Sequence, residues 1–383
     1  MRALAIILGL LVGLGVVEGV ARWLAPASPG EALLGNIGGR IEDPVLEYRT
    51  APGTGENDAR GFRNPQALDR ADVVALGDSQ TWGVNAEIDE TWPAVLADAS
   101  GRRVYNMGRG GYGMLQYLHQ LDDALALEPE WILVALYLGN DLHDAYALAY
   151  GLDAHASRRS ADPAVVRRVE RSDAAALQRM FFERVAYQRS SIAPVRWLQE
   201  NTGLGALVVR LSETPADTTA DRAWAAAHPE DGFVYESGGV STVFHASHRL
   251  AAVDLSNPRV AEGLRITKDA LAEAALKVAT APGSELLVLV MPTKERVFAK
   301  AVALSGTPAS PSYVPGVSQE IRIGFDLKSF MDTRGIRYLD LLPVLEDAIS
   351  RGEAIFPPNA DGHFTPAGYR VIAEAVAPAL AAP

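Results

Sequence analysis

The sequence predicts an α/β fold: a doubly wound, mainly parallel sheet that carries a large insertion. Three observations lead there. Apolar runs at residues 73–76 (V-V-A-L) and 131–138 (W-I-L-V-A-L-Y-L) have the length and composition of strands buried on both faces. Shorter strand patterns occur at 103–106, 285–291 and 337–341. The segments between them show helical spacing, and strands alternating with helices imply crossover connections and a parallel sheet.

Each element has its own local signal. The first strand stops at Gly77, so Asp78 and Ser79 stand where the chain must turn, and Glu90, Trp92, Val95 and Leu96 then follow a helical pattern. The second strand runs into N-M-G-R-G-G-Y-G at 106–113. Beyond it Leu115, Leu118, Leu121 and Leu125 share one helix face. The third strand, 131–138, ends in Gly139-Asn140-Asp141. Periodicity weakens between about 143 and 257, which we read as an insertion into the core. This stretch holds a basic cluster (Arg158, Arg159, Arg167, Arg168, Arg171) read as a solvated helix face. It also holds an apolar-aromatic helix candidate around 180–187, a loop-rich stretch at 215–230, and a hairpin turned by Gly238-Gly239. Regular helices return at 260–279, at 318–332, and from Pro366, where Thr365 suits the N-cap and proline the first turn.

At 383 residues and 48% hydrophobic content, the chain can bury one large core with an insertion, or two domains. A formal charge of −12 argues against a nucleic-acid partner, which needs a basic surface. Cysteine is absent, which excludes disulfides, a thiol nucleophile and thiolate metal sites. Fifteen residues, 3–17, carry no charged or strongly polar side chain, and the apolar character extends to Ala25 apart from Glu18 and Arg22. A helix of roughly 20 such residues spans a bilayer. We read 1–25 as a retained membrane anchor that places the remainder outside the cytoplasm, on the periplasmic side. The alternative is a signal segment cleaved at Ala25-Pro26-Ala27, giving a secreted protein. Residues 26–70, rich in proline, glycine and polar side chains, read as a tether that becomes ordered near Gly61-Phe62-Arg63, and 71–383 as the main α/β domain.

The chemistry gathers at strand ends. A serine hydroxyl needs a general base to take its proton, and the base needs a third group to orient it. The stretch N-A-D-G-H-F-T-P at 359–366 places His363 on a loop at a helix start. In extended backbone residues two apart face the same side, so Asp361 can meet His363. The glycines of 108–113 and the Gly139-Asn140 pair offer donors of the kind a developing oxyanion requires. Each segment alone also reads as an ordinary turn. The remaining histidines lie in no H-E-x-x-H or comparable cluster, so no metal and no cofactor is expected.

Together these segments resemble the four blocks of the SGNH (GDSL-type) hydrolase superfamily. G-D-S at 77–79 matches the nucleophile block, Gly111 the oxyanion glycine counted from Asn106, G-N-D at 139–141 the third block, and His363 the last. The resemblance spans about 72–141 and 285–376 and leaves the insertion unassigned. It implies a flavodoxin-like three-layer α/β/α sandwich. It also implies catalysis by Ser79, His363 and Asp361, with oxyanion donors from Ser79, Gly111 and Asn140. One departure stands out: the family's usual last block has aspartate three residues before histidine, whereas position 360 is alanine and the acid is Asp361. This D-x-H spacing is similar to SGNH-type proteins of polysaccharide O-acetylation systems, and Asp340 is a second candidate acid. Gly61-Phe62-Arg63 and M-P-T-K-E at 291–295 resemble membrane-anchored members found with exopolysaccharide genes, with Lys294 and Glu295 either lining the site or forming a structural pair. The expected activity is that of an extracytoplasmic serine esterase or O-acyltransferase on the O-acyl groups of a glycan or similar ester, with polysaccharide-assembly proteins as partners. Two other readings stand beside it: a catalytically silent, membrane-tethered glycan-binding subunit, and a phosphate site at Asp78-Ser79, which would leave Asn140 and His363 without roles.

Overall fold

The computed structural model describes residues 40–172 and 218–380. The proposed anchor at 1–25 and the helix candidate around 180–187 lie outside the described residues. Among those described, no helix is long and apolar enough to cross a membrane.

In chain order the strands are β1 (Arg40–Asp43), β2 (Glu47–Thr50), β3 (Val73–Gly77), β4 (Val104–Asn106), β5 (Trp131–Tyr137), β6 (Gly232–Ser237), β7 (Val240–His245), β8 (Glu285–Met291) and β9 (Tyr338–Asp340). The helices are α1 (Ser79–Trp82), α2 (Trp92–Ser100), α3 (Met114–Leu125), α4 (Asp141–Gly151), α5 (Pro163–Arg171), α6 (Thr219–Ala227), α7 (Ala246–Leu250), α8 (Pro258–Ala279), α9 (Lys294–Val297), α10 (Ala299–Ser305), α11 (Tyr313–Asp332), α12 (Leu342–Ser350) and α13 (Pro366–Ala379).

Five strands form the central sheet in the order β4-β3-β5-β8-β9, and every neighbouring pair is parallel. That is the order of a flavodoxin-type doubly wound sheet. Every residue of β3 and β5 is buried, as apolar runs covered on both faces require. Around the sheet α2 packs with α13, while α3, α4 and α8 pack on one another. The order reverses between β3 and β5, and the crevice outside the carboxyl ends of those two strands is where such sheets place ligands. The register sets Gly77 beside Ala135 and Tyr137 beside Met291, so the turns after β3, β4, β5 and β8 open on one edge.

Two attachments meet at that edge. Residues 40–64 are more structured than their composition suggests: β1 and β2 pair as an antiparallel hairpin, and Leu46, Tyr48 and Phe62 are buried in the main core. The insertion contributes a second hairpin, β6–β7, turned at Gly238-Gly239 as the sequence indicates. Its loop-rich stretch contains the helix α6, which packs on that hairpin. Ala220, Ala223, Trp224 and Ala227 follow helical spacing, but three of these four are alanines, whose small apolar side chains give a weak periodic signal in a nine-residue helix.

Candidate active site

Ser79 is the first residue of α1, a single turn begun by Asp78, whose Oδ1 accepts the Gln80 N–H at 2.9 Å. The hydroxyl is thereby presented at the end of β3, and Ser79 is buried to 7% exposure. His363, at 4% exposure, lies on the loop before α13. Its Nε2 is 2.9 Å from Ser79 Oγ, and its Nδ1 is 2.7 Å from Asp361 Oδ1. Asp361 Oδ1 also accepts the His363 main-chain N–H at 3.2 Å, so a two-residue spacing suffices to hold the ring. Asp340 is elsewhere: it pairs with Lys328 at 2.7 Å and accepts the N–H of Leu342.

The glycine turn after β4 passes beside the serine. A Cβ built on Gly110 would stand 3.8 Å from Ser79 Cβ, and Gly111 adopts φ +74°, a left-handed conformation that favours glycine. Tyr48 of the first hairpin donates its hydroxyl to Gly110 O. Arg109, buried beside it, reaches Gly61 O and lies 4.3 Å over the Phe62 ring. Residues 40–64 thus brace the turn from outside. Arg63 of the same segment donates to Gly83 O (2.8 Å) and Ala86 O (2.8 Å), securing the chain that follows α1.

Asn140 sits at the end of β5 as the N-cap of α4, and its amide donates to Asp144 Oδ2 at 2.7 Å. An asparagine amide has two protons, and Asn140 also hydrogen-bonds the Asp78 carboxylate, so the two acids together orient the amide. Asp78 and Asp141, both fully buried, and the half-buried Asp144 form an acidic floor. Burial lifts all three carboxyl groups, Asp78 to about 6 against the opposing pull of the Gln80 N–H. Asp78 therefore serves the turn and carries its charge at a cost.

Several supporting residues gave no local signal in the sequence. Gln80 donates to Gly362 O at 3.0 Å and accepts the N–H of Phe364 at 3.4 Å, clasping the histidine loop from both sides. Asn85, held at φ +69°, donates to Asp361 Oδ2 at 3.1 Å. Arg249 of α7 stands 3.8 Å from Asp361 Oδ1. Lys294 and Glu295, read as lining the site or as a structural pair, are both buried, and Lys294 Nζ donates into the insertion and the histidine loop. His143 lies beside Asp144 at 3.5 Å. In the basic cluster Arg158 pairs with Glu273. Among the described residues no group of three or more histidine and acidic side chains is placed to hold a metal ion.

A serine hydroxyl, an imidazole and a carboxylate in hydrogen-bonded sequence form the arrangement that activates an oxygen nucleophile. No family model matches the chain, and no curated protein does. Among solved structures, the chain is similar to a protein described as lipolytic and of the G-D-S-L family from Desulfitobacterium hafniense. The identity is 15%, over 80% of this chain and 97% of the other, with a TM-score of 0.34. It is also similar to an alpha/beta hydrolase enzyme from the metagenome of Lake Arreo, Spain (13%, 81% and 95%, TM-score 0.37). A third is a catalytic mutant of an acetylxylan esterase from Geobacillus stearothermophilus (11%, 81% and 94%, TM-score 0.37). At these scores the likeness assigns nothing to this chain, and the functional reading rests on its own side chains.

Proposed function

We propose that the protein is an extracytoplasmic, membrane-anchored serine esterase or O-acyltransferase of the SGNH type, acting on O-acyl groups, chiefly O-acetyl, of a glycan or similar ester. The observation that carries this reading is the unbroken relay from Ser79 Oγ to His363 Nε2 (2.9 Å) and from His363 Nδ1 to Asp361 Oδ1 (2.7 Å). In this reading Ser79 attacks the ester carbonyl as His363 takes its proton, and Asp361 holds the ring in the required tautomer. The Ser79 and Gly111 N–H groups and the Asn140 amide face the developing oxyanion. His363 returns its proton to the departing alkoxide, and a water or a sugar hydroxyl then resolves the acyl-serine. The depth of Ser79 and His363 supports a short acyl chain. The apolar run at 3–17 supports the location, and the resemblance of M-P-T-K-E supports a glycan acceptor and polysaccharide-assembly partners.

The full chain, purified in detergent, is expected to release 4-nitrophenol from 4-nitrophenyl acetate and to carry a trapped acetyl group on Ser79 by mass spectrometry. Ser79→Ala is expected to lower the rate by about 10³-fold or more. Equal rates for the two proteins would sink the serine mechanism. An acetylated glycan acceptor appearing in the same assay would separate transfer from hydrolysis.

A further inference from the structure

The loop at 357–364 carries both the acid and the base, and side chains from two parts of the molecule hold its main chain. From the core, Gln80 grips Gly362 and Phe364, and Asn85 grips the Asp361 carboxylate. From the insertion, Thr242 of β7 places its hydroxyl 2.9 Å from Pro357 O and 3.1 Å from Asn359 O, and Asp221 of α6 accepts the Ala360 N–H at 2.6 Å. Lys294, just past the end of β8, joins the two. Its ammonium donates to Thr242 Oγ1 (3.1 Å), Val243 O (2.9 Å) and Asn359 O (2.9 Å), one acceptor for each proton. Thr242 and Lys294 are both fully buried. Asn359 continues the chain of contacts, since its Oδ1 accepts the N–H of Asp361 at 2.9 Å.

We propose that the insertion is part of the catalytic scaffold: Thr242, locked by Lys294, is a positioning residue that sets the loop carrying Asp361 and His363 against Ser79. The proposal rests on the serine-esterase reading of the site and extends it to a segment that reading leaves without a role. The physical reason is geometric. A buried ammonium with three fixed acceptors holds them to within a few tenths of an ångström, because leaving any of them unpaired out of reach of water is costly. The loop's path is thereby transmitted to the imidazole, and misplacing a reacting group by about 1 Å can cost about 100-fold in rate.

The test uses the full chain with Thr242→Val, which keeps the shape and removes the hydroxyl, and Thr242→Ser, which keeps the hydroxyl. Thr242→Val is expected to lower kcat by about tenfold or more with KM within about twofold, and Thr242→Ser to restore most of the loss. The far-downfield proton resonance of His363 Nδ1–H, visible by NMR without substrate, is expected to broaden or vanish in Thr242→Val and to return in Thr242→Ser. Asp221→Ala, on a partly exposed helix, supplies the same readouts if Thr242→Val does not fold, with a kcat loss of about threefold or more expected. A folded Thr242→Val or Asp221→Ala with wild-type kcat and an unchanged resonance overturns the proposal. So does a loss in Thr242→Val that Thr242→Ser fails to restore, since packing rather than the hydroxyl would then be responsible. If the wild-type chain releases no 4-nitrophenol and Ser79→Ala behaves the same, the esterase reading has failed; the resonance still decides whether Thr242 sets the loop.

Discussion

Asp361 shows how much of a triad depends on one side chain's surroundings. It accepts from the His363 ring and main chain on one oxygen and from Asn85 on the other, with the Arg249 guanidinium 3.8 Å away. Asp361→Asn would leave the packing intact and present an amide where the ring N–H needs an acceptor. The expected result is a kcat lower by about 10⁴-fold with KM little changed, measured on 4-nitrophenyl acetate. Asn140→Ala removes a donor rather than the base, and a kcat loss of about 10²–10³-fold is expected in the same assay. Ser79, Asp361 and His363 were legible as partners because each lies at a strand or helix end with a local signal. Gln80, Asn85 and Arg249 were not, because their partners lie more than a hundred residues away and no local pattern marks them.

At the scale of elements, the two helices at either end of the insertion, α4 and α8, pack closely on each other. Gly263 of α8 lies against the start of α4, and a Cβ at this position would stand 1.9 Å from Leu142 O. That neighbour is backbone, so the helices themselves would have to separate. Gly263→Ala is therefore expected to destabilise the protein by about 1–3 kcal/mol in denaturant unfolding, outweighing the gain of about 1 kcal/mol that alanine brings to a helix. The alternation of strands and helices was readable because the strands of a parallel sheet are long apolar runs. The short α1, α9 and α10 were not readable, since one or two turns are set by caps and tertiary contacts rather than by periodicity.

For the whole molecule, buried acids link stability to pH. Glu320 of α11 is fully buried and accepts both the N–H and the hydroxyl of Thr293. Burial nonetheless lifts its carboxyl from 4.5 to about 7. Between those two values the folded protein keeps a proton that the unfolded chain has lost, so stability falls as pH rises through this window. Above it the penalty is constant, about 3 kcal/mol for a shift of that size. Glu320→Gln is expected to flatten this decline, so that the variant gains on the wild type between about pH 4 and about pH 8 in denaturant titrations. The opposite outcome, equal slopes in both proteins, would mean that Glu320 does not titrate in that range.

The sequence by itself determined the sheet's strands, the position of Ser79 at a strand end, and the D-x-H pair before the last helix. These are local properties of apolar runs, turns and caps, and they survive reading one segment at a time. Only the tertiary structure decided what stands behind them. It brought residues 40–64 against the glycine turn, set Gln80 and Asn85 on the histidine loop, and placed Thr242 and Lys294 beneath it. Such contacts join residues far apart in the chain through single hydrogen bonds. The local spacing of a sequence can show a pair such as Asp361 and His363, but it does not record a hydrogen bond between distant residues until the fold has closed around it.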